Sequence, residues 1–310
     1  MNFGTIPRLD KKVSKLVIGN DYFKEYSQAE KLWDYYLANG GNTFDNSIYY
    51  KEGLTEKFLG KWIKSRNNEK EIVIISKVGN EKTKPSEIKD LLKISLERLK
   101  LNSIDILVLH RDNIDVPVDE ILDSLNDLID SKLIKIFGAS NIGVQRIKKG
   151  KIWAQNNNKN SYEIINNNLS LATMIKPLWD GCISSNNNEY LNFLEKEKIP
   201  HFSWSSQARG FFIQESFLKR IFRKKISQKL KECFFSKENL ERKKRAKDLS
   251  KKFKCSVNDI ALAWVINQNF PSFAIIGPKN KRHLGESLKC FSISLSSSEI
   301  KWLNLADNNI

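Results

Sequence analysis

The stretch IDILVLHRDNIDVPVDEILDSLNDLIDSKLIKIFGASN, residues 104–141, decides the fold because it holds one complete strand–helix–strand unit. Its two ends are short apolar runs without strict polar alternation, which is typical of strands buried on both faces. Between them, apolar residues recur at the spacing of one helical face, and Pro117 suits the start of that helix. The stretch therefore predicts two parallel strands joined by a helix.

The same alternation of strand and helix patterns continues along the chain. Seven helical segments are predicted, at residues 27–40, 55–65, 85–100, 118–133, 144–155, 189–198 and 259–268. Eight apolar runs are predicted to be strands: VSKLVIG (13–19), NTFD (42–45), EIVIIS (71–76), IDILVLH (104–110), LIKIFGASN (133–141), YEIINNN (162–168), HFSWSS (201–206) and FAIIG (273–277).

Eight strand–helix units favour an α/β fold of the closed (β/α)8 type, a TIM barrel, in a single domain over residues 1–310. A doubly wound sheet is the alternative, but no predicted strand is followed by G-x-G-x-x-G and no Walker A motif occurs. Two segments depart from the repeat. Residues 210–239 are predicted to form a long loop after strand seven, and SSSEIKWLNLAD (296–307) a C-terminal helix with serine at its cap.

The composition is that of an ordinary globular protein, with 40% hydrophobic and 28% charged residues. No apolar run approaches the roughly 18 residues that span a bilayer, and MNFGTIPRLDKK lacks the apolar core of a signal peptide. A cytoplasmic protein is therefore expected. Four cysteines without CxxC spacing indicate neither a disulfide framework nor a zinc site.

The net charge of +16 raises nucleic-acid binding as a second class of function. Residues 214–254 alone carry sixteen Lys and Arg against five Asp and Glu, so most of the excess is local. The basic residues there alternate with Leu240, Leu249 and Phe253 at helical spacing, which is typical of a solvated helix face. The pattern favours a charged surface over a nucleic-acid site.

The predicted strands are apolar, but their carboxyl ends are polar. In a barrel these ends converge on one face, where active sites lie. Tyr50 follows the end of the second strand by five residues, just before a predicted helix. The polar strand ends, in chain order, are Asp45, Lys77, His110 and the pair Ser140 and Asn141.

These side chains suit an acid catalyst. A tyrosine hydroxyl, with a pKa of about 10, donates a proton poorly at neutral pH, but a nearby ammonium lowers that pKa. Lys77 is predicted to act in this way on Tyr50, and Asp45 to keep a buried Lys77 charged. His110 is expected to bind a substrate oxygen and orient it against Tyr50. Taken singly, the Asp is also explained as a turn residue and the His as a satisfied core residue.

The stretch GGNTFDNSIYYKEGLTEKFLG resembles the GxNxFDTAxxYGxGxSExxLG signature of the aldo-keto reductase superfamily. The resemblance implies that Asp45 and Tyr50, rather than Tyr49, are the catalytic Asp and Tyr. IISKVG resembles the strand with the catalytic Lys, here Lys77, and LVLHRDN the strand with the catalytic His, here His110. These matches occur in the family's order and cover nearly the whole chain.

The resemblance extends to cofactor contacts. FGASN matches the family's GxSN and implies that Ser140 and Asn141 contact the nicotinamide carboxamide. HFSWSSQARGFF resembles the stretch whose aromatic ring, here Trp204, stacks on nicotinamide. IIGPKNKRHLGESL resembles the loop and helix start that hold the adenosine 2′-phosphate and adenine, which implies contacts from Gly277, Lys279, His283, Glu286 and Ser287, with Arg282 nearby.

Several positions depart from the family pattern. Asn46 and Ser47 replace Thr-Ala, and SSQAR replaces the usual SPL-type run. Asn166 stands where a Gln usually contacts the carboxamide, and it is one methylene shorter. Leu169 stands where a Tyr is common.

The predicted function is hydride transfer from NADPH, with NADH less favoured, to an aldehyde or ketone, with Tyr50 as general acid and no metal. The alternative is a slow or non-catalytic regulatory protein that binds the cofactor on the same fold. The shortened Asn166 side chain favours that alternative, and the complete set of four catalytic residues opposes it.

Overall fold

The computed structural model describes residues 1–213 and 228–307. A two-stranded antiparallel hairpin, β1 (Phe3–Gly4) and β2 (Val13–Ser14), precedes eight parallel strands that close into a barrel. The closed barrel confirms the predicted (β/α)8 fold and excludes a doubly wound sheet. The barrel strands are β3 (Leu16–Gly19), β4 (Thr43–Asp45), β5 (Val73–Val78), β6 (Ile104–Leu109), β7 (Ile134–Ser140), β8 (Ile164–Asn166), β9 (His201–Ser203) and β10 (Ser272–Ile276).

Helices surround the barrel, and each of the seven predicted segments is helical to within three residues of its predicted bounds. Within residues 1–213 and 228–307, no helix is both long and apolar enough to cross a membrane. The helices are α1 (Tyr26–Ala38), α2 (Leu54–Arg66), α3 (Pro85–Leu99), α4 (Val118–Asp130), α5 (Val144–Asn156), α6 (Asn188–Glu197), α7 (Gln228–Phe234), α8 (Lys237–Lys252), α9 (Val257–Ile266), α10 (Lys281–Leu288) and α11 (Ser297–Leu303).

Local sequence explains where these helices start. In α4, Asp119 and Glu120 occupy the first turn, where negative charge is favoured, and the buried side chains form one face. In α9, Ser256 accepts a hydrogen bond from the Asp259 main-chain nitrogen while the Asp259 side chain accepts from Ser256, a capping box. All but one of the ten residues of α9 are buried, so this helix packs within the body of the protein.

The barrel interior is filled with apolar side chains up to its carboxyl end. Val17, Val73, Ile106 and their neighbours form this inner cluster, in which Phe202 and Phe273 stack with ring centroids 4.6 Å apart. Residues Ile6, Leu9 and Val13 of the N-terminal hairpin belong to the same cluster. The hairpin therefore closes the amino-terminal end of the barrel, and the run predicted as one strand at 13–19 is divided between the hairpin and the barrel.

The connection predicted at 210–239 is partly helical. Residues 214–227 lie outside the described residues, and α7 and the start of α8 occupy most of 228–239. In α8, Arg245 donates to the main-chain oxygens of Trp302 and Asp307, and Lys252 pairs with Glu299 at 2.8 Å. These two cations of the basic segment therefore hold the C-terminal helix against the body.

Substitution of Gly60 by Ala should destabilise the fold because α2 and α3 approach most closely there. A Cβ at Gly60 would lie 2.5 Å from the Arg98 main-chain oxygen and 2.6 Å from that of Leu99. We expect a loss of about 1–3 kcal/mol in the free energy of unfolding, measured with denaturant, despite the higher helix propensity of Ala. Gly150→Ala in α5 is the matched control, since the nearest atom there is a movable Leu122 methyl at 3.0 Å. Equal stabilities of the two variants would contradict this packing argument.

Candidate active site

The predicted site residues form a polar layer above the apolar barrel core. Successive side chains of a strand point to opposite faces, so residues two apart share one face. On β5, Val73 and Ile75 lie in the inner cluster and Lys77 follows them. On β6, Val108 lies in the inner cluster, and His110, two residues later, follows it on the same face. The remaining members of this layer are Asp45, Ser140, Asn166 and Trp204.

Asp45 and Lys77 form a buried ion pair. The Lys77 Nζ donates to the Asp45 Oδ1, and the two residues are 2% and 3% exposed, respectively. Burial raises the pKa of the Asp45 carboxyl and lowers that of the Lys77 ammonium, and the attraction between the two charges opposes both shifts. Each group is thus the partner that keeps the other charged.

Tyr50 lies on a short turn, Tyr50–Gly53, directly above this pair. The Lys77 Nζ is 4.9 Å from the centroid of the Tyr50 ring. Lys51 and Glu52, the next two residues, have φ angles of 48° and 57°, a left-handed backbone that is uncommon without glycine. The Arg98 Nη1 donates to the Ile48 main-chain oxygen at 2.9 Å, which helps to hold the segment leading into this strained turn.

The pKa of Tyr50 shifts in the direction opposite to the predicted one. Burial raises that pKa well above its usual value, the charges of Asp45 and Asp21 raise it further, and Arg111 lowers it. Burial is the main physical reason, and the Asp45 charge adds to it by opposing the effect of the ammonium with which it is paired. Tyr50 therefore carries its proton at neutral pH.

His110 completes the group of four. Its ring meets the Tyr50 ring edge to face at a centroid distance of 5.8 Å, and burial lowers its pKa to about 3, so the imidazole is neutral. The Ser47 Oγ lies 3.0 Å from the His110 Nδ1 and donates to the Lys77 main-chain oxygen at 3.1 Å. In the sequence, Ser47 was interpreted only as a small replacement for the family's Ala, and this contact was missed. Its place two residues after Asp45 was a signal that it lies near the site.

Tyr49 differs from Tyr50 in exposure. Its side chain is 42% exposed, whereas Tyr50 is half-buried. The Tyr49 ring nevertheless lies 5.9 Å from that of His110, so both tyrosines border the same space. Of the two, Tyr50 is the one beside the Lys77 ammonium.

Three polar residues predicted to contact nicotinamide lie together. The Ser140 hydroxyl donates to the Asn166 main-chain oxygen at 2.6 Å, and the Asn141 Nδ2 donates to Ser140 at 3.0 Å. The Asn166 Nδ2 donates to the Phe202 main-chain oxygen at 2.7 Å. The Asn166 Oδ1 is buried and has no hydrogen-bond partner among the described residues. Because unpaired buried acceptors are costly, this oxygen is suited to a ligand N–H donor.

Trp204 is stacked on a second indole that the site prediction did not include. Its ring lies 5.0 Å from that of Trp179, with 26° between the ring planes. Trp179 belongs to the loop between β8 and α6, and the guanidinium of Arg111 lies 5.2 Å from its ring centroid. One face of Trp204 is thus covered by protein.

The residues predicted to hold the adenosine end surround the start of α10. Asn280 caps this helix by accepting from the His283 main-chain nitrogen at 2.9 Å. Lys279 and Arg282 are exposed there, and Arg282 lies 3.9 Å from Glu286. Gly277 is exposed as well, on the turn that precedes the helix. Ser287 is the exception, because its buried hydroxyl donates to the His283 main-chain oxygen.

The chain resembles known proteins in sequence and in structure. A sequence model described as the Aldo/keto reductase family matches residues 16–307. Norsolorinic acid reductase B of Dothistroma septosporum is 24% identical, over 97% of this chain and 80% of its own length. The aldo-keto reductase yakc, NADP(+), of Schizosaccharomyces pombe is 24% identical, over 88% of this chain and 81% of its own length.

A similar fold is found in a thermostable aldo-keto reductase whose crystal structure contains the inhibitor epalrestat. The TM-score is 0.75, and the alignment covers 99% of this chain and 100% of the other at 19% identity. The aryl-alcohol dehydrogenase, NADP(+), of Phanerodontia chrysosporium is 23% identical, over 88% of this chain and 74% of its own length.

Removing both charges of the Asp45–Lys77 pair should destabilise the protein less than the two single removals taken together. Asp45→Asn or Lys77→Met alone leaves a buried charge without its partner, and we expect each to lower the free energy of unfolding by about 3–5 kcal/mol. The double variant should lose less than the sum of the two, as measured by denaturant unfolding.

Asp10→Asn is the control for this cycle, since Asp10 pairs with Lys135 at 2.8 Å on the exposed surface. Its effect should be far smaller. Strict additivity of Asp45→Asn and Lys77→Met would show that the two groups do not stabilise one another.

Proposed function

This chain belongs to the aldo/keto reductase family, and from that premise we propose that it is an NADPH-dependent carbonyl reductase in which Tyr50 is the general acid. The reaction adds a hydride, with its two electrons, to the carbonyl carbon and a proton to the oxygen, which gives the alcohol. The single observation that carries the proposal is that Tyr50, Lys77, Asp45 and His110 lie together at the carboxyl end of the barrel.

The protein offers fitting groups for a nicotinamide cofactor. The unpaired, buried Oδ1 of Asn166 fits the amide N–H of a carboxamide, beside Ser140 and Asn141. The shorter side chain at this position therefore keeps a free acceptor, which supports cofactor binding in the reductase and in the regulatory alternative alike. At the other end, Lys279 and Arg282 at the start of α10 suit a phosphate group. A bound reduced nicotinamide supplies the hydride.

Protonated Tyr50 is suited to the acid step. An alkoxide is a stronger base than a phenolate, so a proton on Tyr50 moves to the substrate oxygen as negative charge develops there. Lys77 stabilises the phenolate that remains, and Asp45 holds Lys77 in place.

His110 binds the substrate oxygen as a neutral imidazole. Because its pKa is about 3, the ring is uncharged throughout the neutral range. For Nε2 to donate to a carbonyl oxygen, Nδ1 must be the unprotonated nitrogen, and the Ser47 hydroxyl, 3.0 Å away, supplies the matching donor when its proton turns from the Lys77 main-chain oxygen to Nδ1. Ser47 is thus a positioning residue for the step.

The cofactor preference rests on the cations at α10. Two relatives carry NADP(+) in their names, the yeast aldo-keto reductase and the aryl-alcohol dehydrogenase. Lys279 has no carboxylate within 4.0 Å among the described residues. A free ammonium at a helix start favours a cofactor that carries an additional phosphate, which is NADPH rather than NADH.

Tyr50→Phe should abolish most turnover while NADPH still binds. We expect kcat for an aromatic aldehyde to fall by about 10²- to 10⁴-fold because the proton donor is lost. The measurements are the loss of NADPH absorbance for turnover and Trp fluorescence quenching for binding. Tyr49→Phe is the matched control and should retain turnover; loss of activity in Tyr49→Phe with retention in Tyr50→Phe would reverse the assignment.

Lys279→Gln should weaken NADPH binding and leave NADH binding nearly unchanged. Loss of one exposed charged contact predicts a rise of about 10-fold in the NADPH dissociation constant. Lys289→Gln, at the opposite end of the same helix, removes an equal charge and should change neither constant. An equal rise in the dissociation constants of NADPH and NADH would show that Lys279 contacts a part that the two cofactors have in common.

A further inference from the structure

Arg111 places a positive charge at the mouth of the catalytic layer. It follows His110 directly at the end of β6, and it is half-buried. Its Nη1 lies 3.4 Å from the Asp180 main-chain oxygen, and its guanidinium lies 5.2 Å from the Trp179 ring centroid. Arg111 is near enough to lower the pKa values of both Tyr50 and His110. This cation therefore borders the space in which a substrate carbonyl must lie.

No carboxylate of the described residues balances the charge of Arg111. Within the described part of the chain, no carboxylate lies within 4.0 Å of its guanidinium. The adjacent Asp112 is paired with Arg146 at 3.1 Å, and Asp180 offers only its main-chain oxygen. Because a guanidinium has five N–H donors, most of the donors of Arg111 remain for another partner.

The surroundings of Trp179 add to the positive charge. A cavity of about 320 Å³ adjoins this indole and is lined by Leu178, Trp179, Arg209, Lys229 and Leu230. None of these residues is acidic, and none belongs to the catalytic group. The indole itself is 37% exposed and offers an apolar surface beside the guanidinium.

We propose that the physiological substrate is a carbonyl compound with a planar, aromatic body and a carboxylate, and that Arg111 binds this carboxylate. The inference rests on the proposed reductase function and adds the substrate class to it. The planar fork of a guanidinium matches the two oxygens of a carboxylate, and the exposed part of the Trp179 indole provides an apolar contact for an aromatic ring. The cation next to His110 then orients the substrate through its carboxylate.

The test compares aldehydes that differ only in charge. Carboxybenzaldehyde and nitrobenzaldehyde, as matched meta and para isomers, have similar size and planarity, but only the first is an anion. The quantity measured is the ratio of kcat/KM for the carboxy substrate to kcat/KM for the nitro substrate. Intrinsic reactivity cancels when this ratio is compared between the wild-type protein and variants.

Arg111→Gln should lower this ratio by about 10- to 100-fold, since a hydrogen-bonded charge is lost. Arg111→Lys should lower it less, because charge remains while the fork is lost. Arg8→Gln removes an equal charge beside Asn160 and Glu163, far from the carboxyl end of the barrel, and should leave the ratio unchanged. The dissociation constant of NADPH should be the same in all four proteins.

Three results would overturn the inference. One is an unchanged kcat/KM for each of the two substrates in Arg111→Gln, which leaves the reductase function standing. Another is an equal fall for both substrates, which would assign Arg111 to the reacting atoms, and the last is weaker NADPH binding. If neither aldehyde is reduced, the reductase function fails, and the carboxylate site at Arg111 is then tested by benzoate binding, followed by Trp fluorescence. Saturable quenching that Arg111→Gln abolishes supports a carboxylate site at Arg111. Quenching that this variant leaves unaltered refutes that site.

Discussion

Burial of the Asp45–Lys77 ion pair is the constraint on which the rest of the site depends. Moving such charges out of water costs several kcal/mol each, so they are tolerated only in contact. Contact requires β4 and β5 to keep their register, with Asp45 beside Ile75. The main-chain bonds continue past the end of β4, from Lys77 to Asn46 and from Ile48 to Lys77. The pair and the strand register therefore determine where the turn bearing Tyr50 begins.

A second polar network fixes the opposite side of that turn. Glu56, in α2, is fully buried and accepts from Ser76 at 2.8 Å and from Ser95. These hydroxyls belong to β5 and α3, so one carboxylate ties three elements together. Arg98 lies 3.5 Å from Glu56 and also holds the segment before Tyr50. A left-handed backbone at Lys51 and Glu52 is sustained because both ends of the segment are anchored in this way.

The sequence was sufficient for the barrel and for the set of residues at its carboxyl end, because both follow from local patterns. Apolar runs indicate where the strands lie. Because side chains alternate between the two faces of a strand, the sequence also indicates which residues at the strand ends face inward. Contacts between distant segments were not predictable in this way. Ser47 and His110 are 63 positions apart, and the stack of Trp179 on Trp204 depends on the path of a long loop. The hairpin was missed as well, since its strands have only two residues each.

The direction of the Tyr50 pKa shift was mispredicted because it is a balance of several charges rather than a property of one neighbour. Considering Lys77 alone gives a lowered pKa, whereas burial and Asp45 together raise it. The raised value has a consequence for the proposed reaction. Reduction needs a protonated Tyr50, and alcohol oxidation needs the phenolate as the base. At neutral pH the protonated form predominates, which suits the proposed reduction, whereas the reverse oxidation would first require a proton to leave Tyr50.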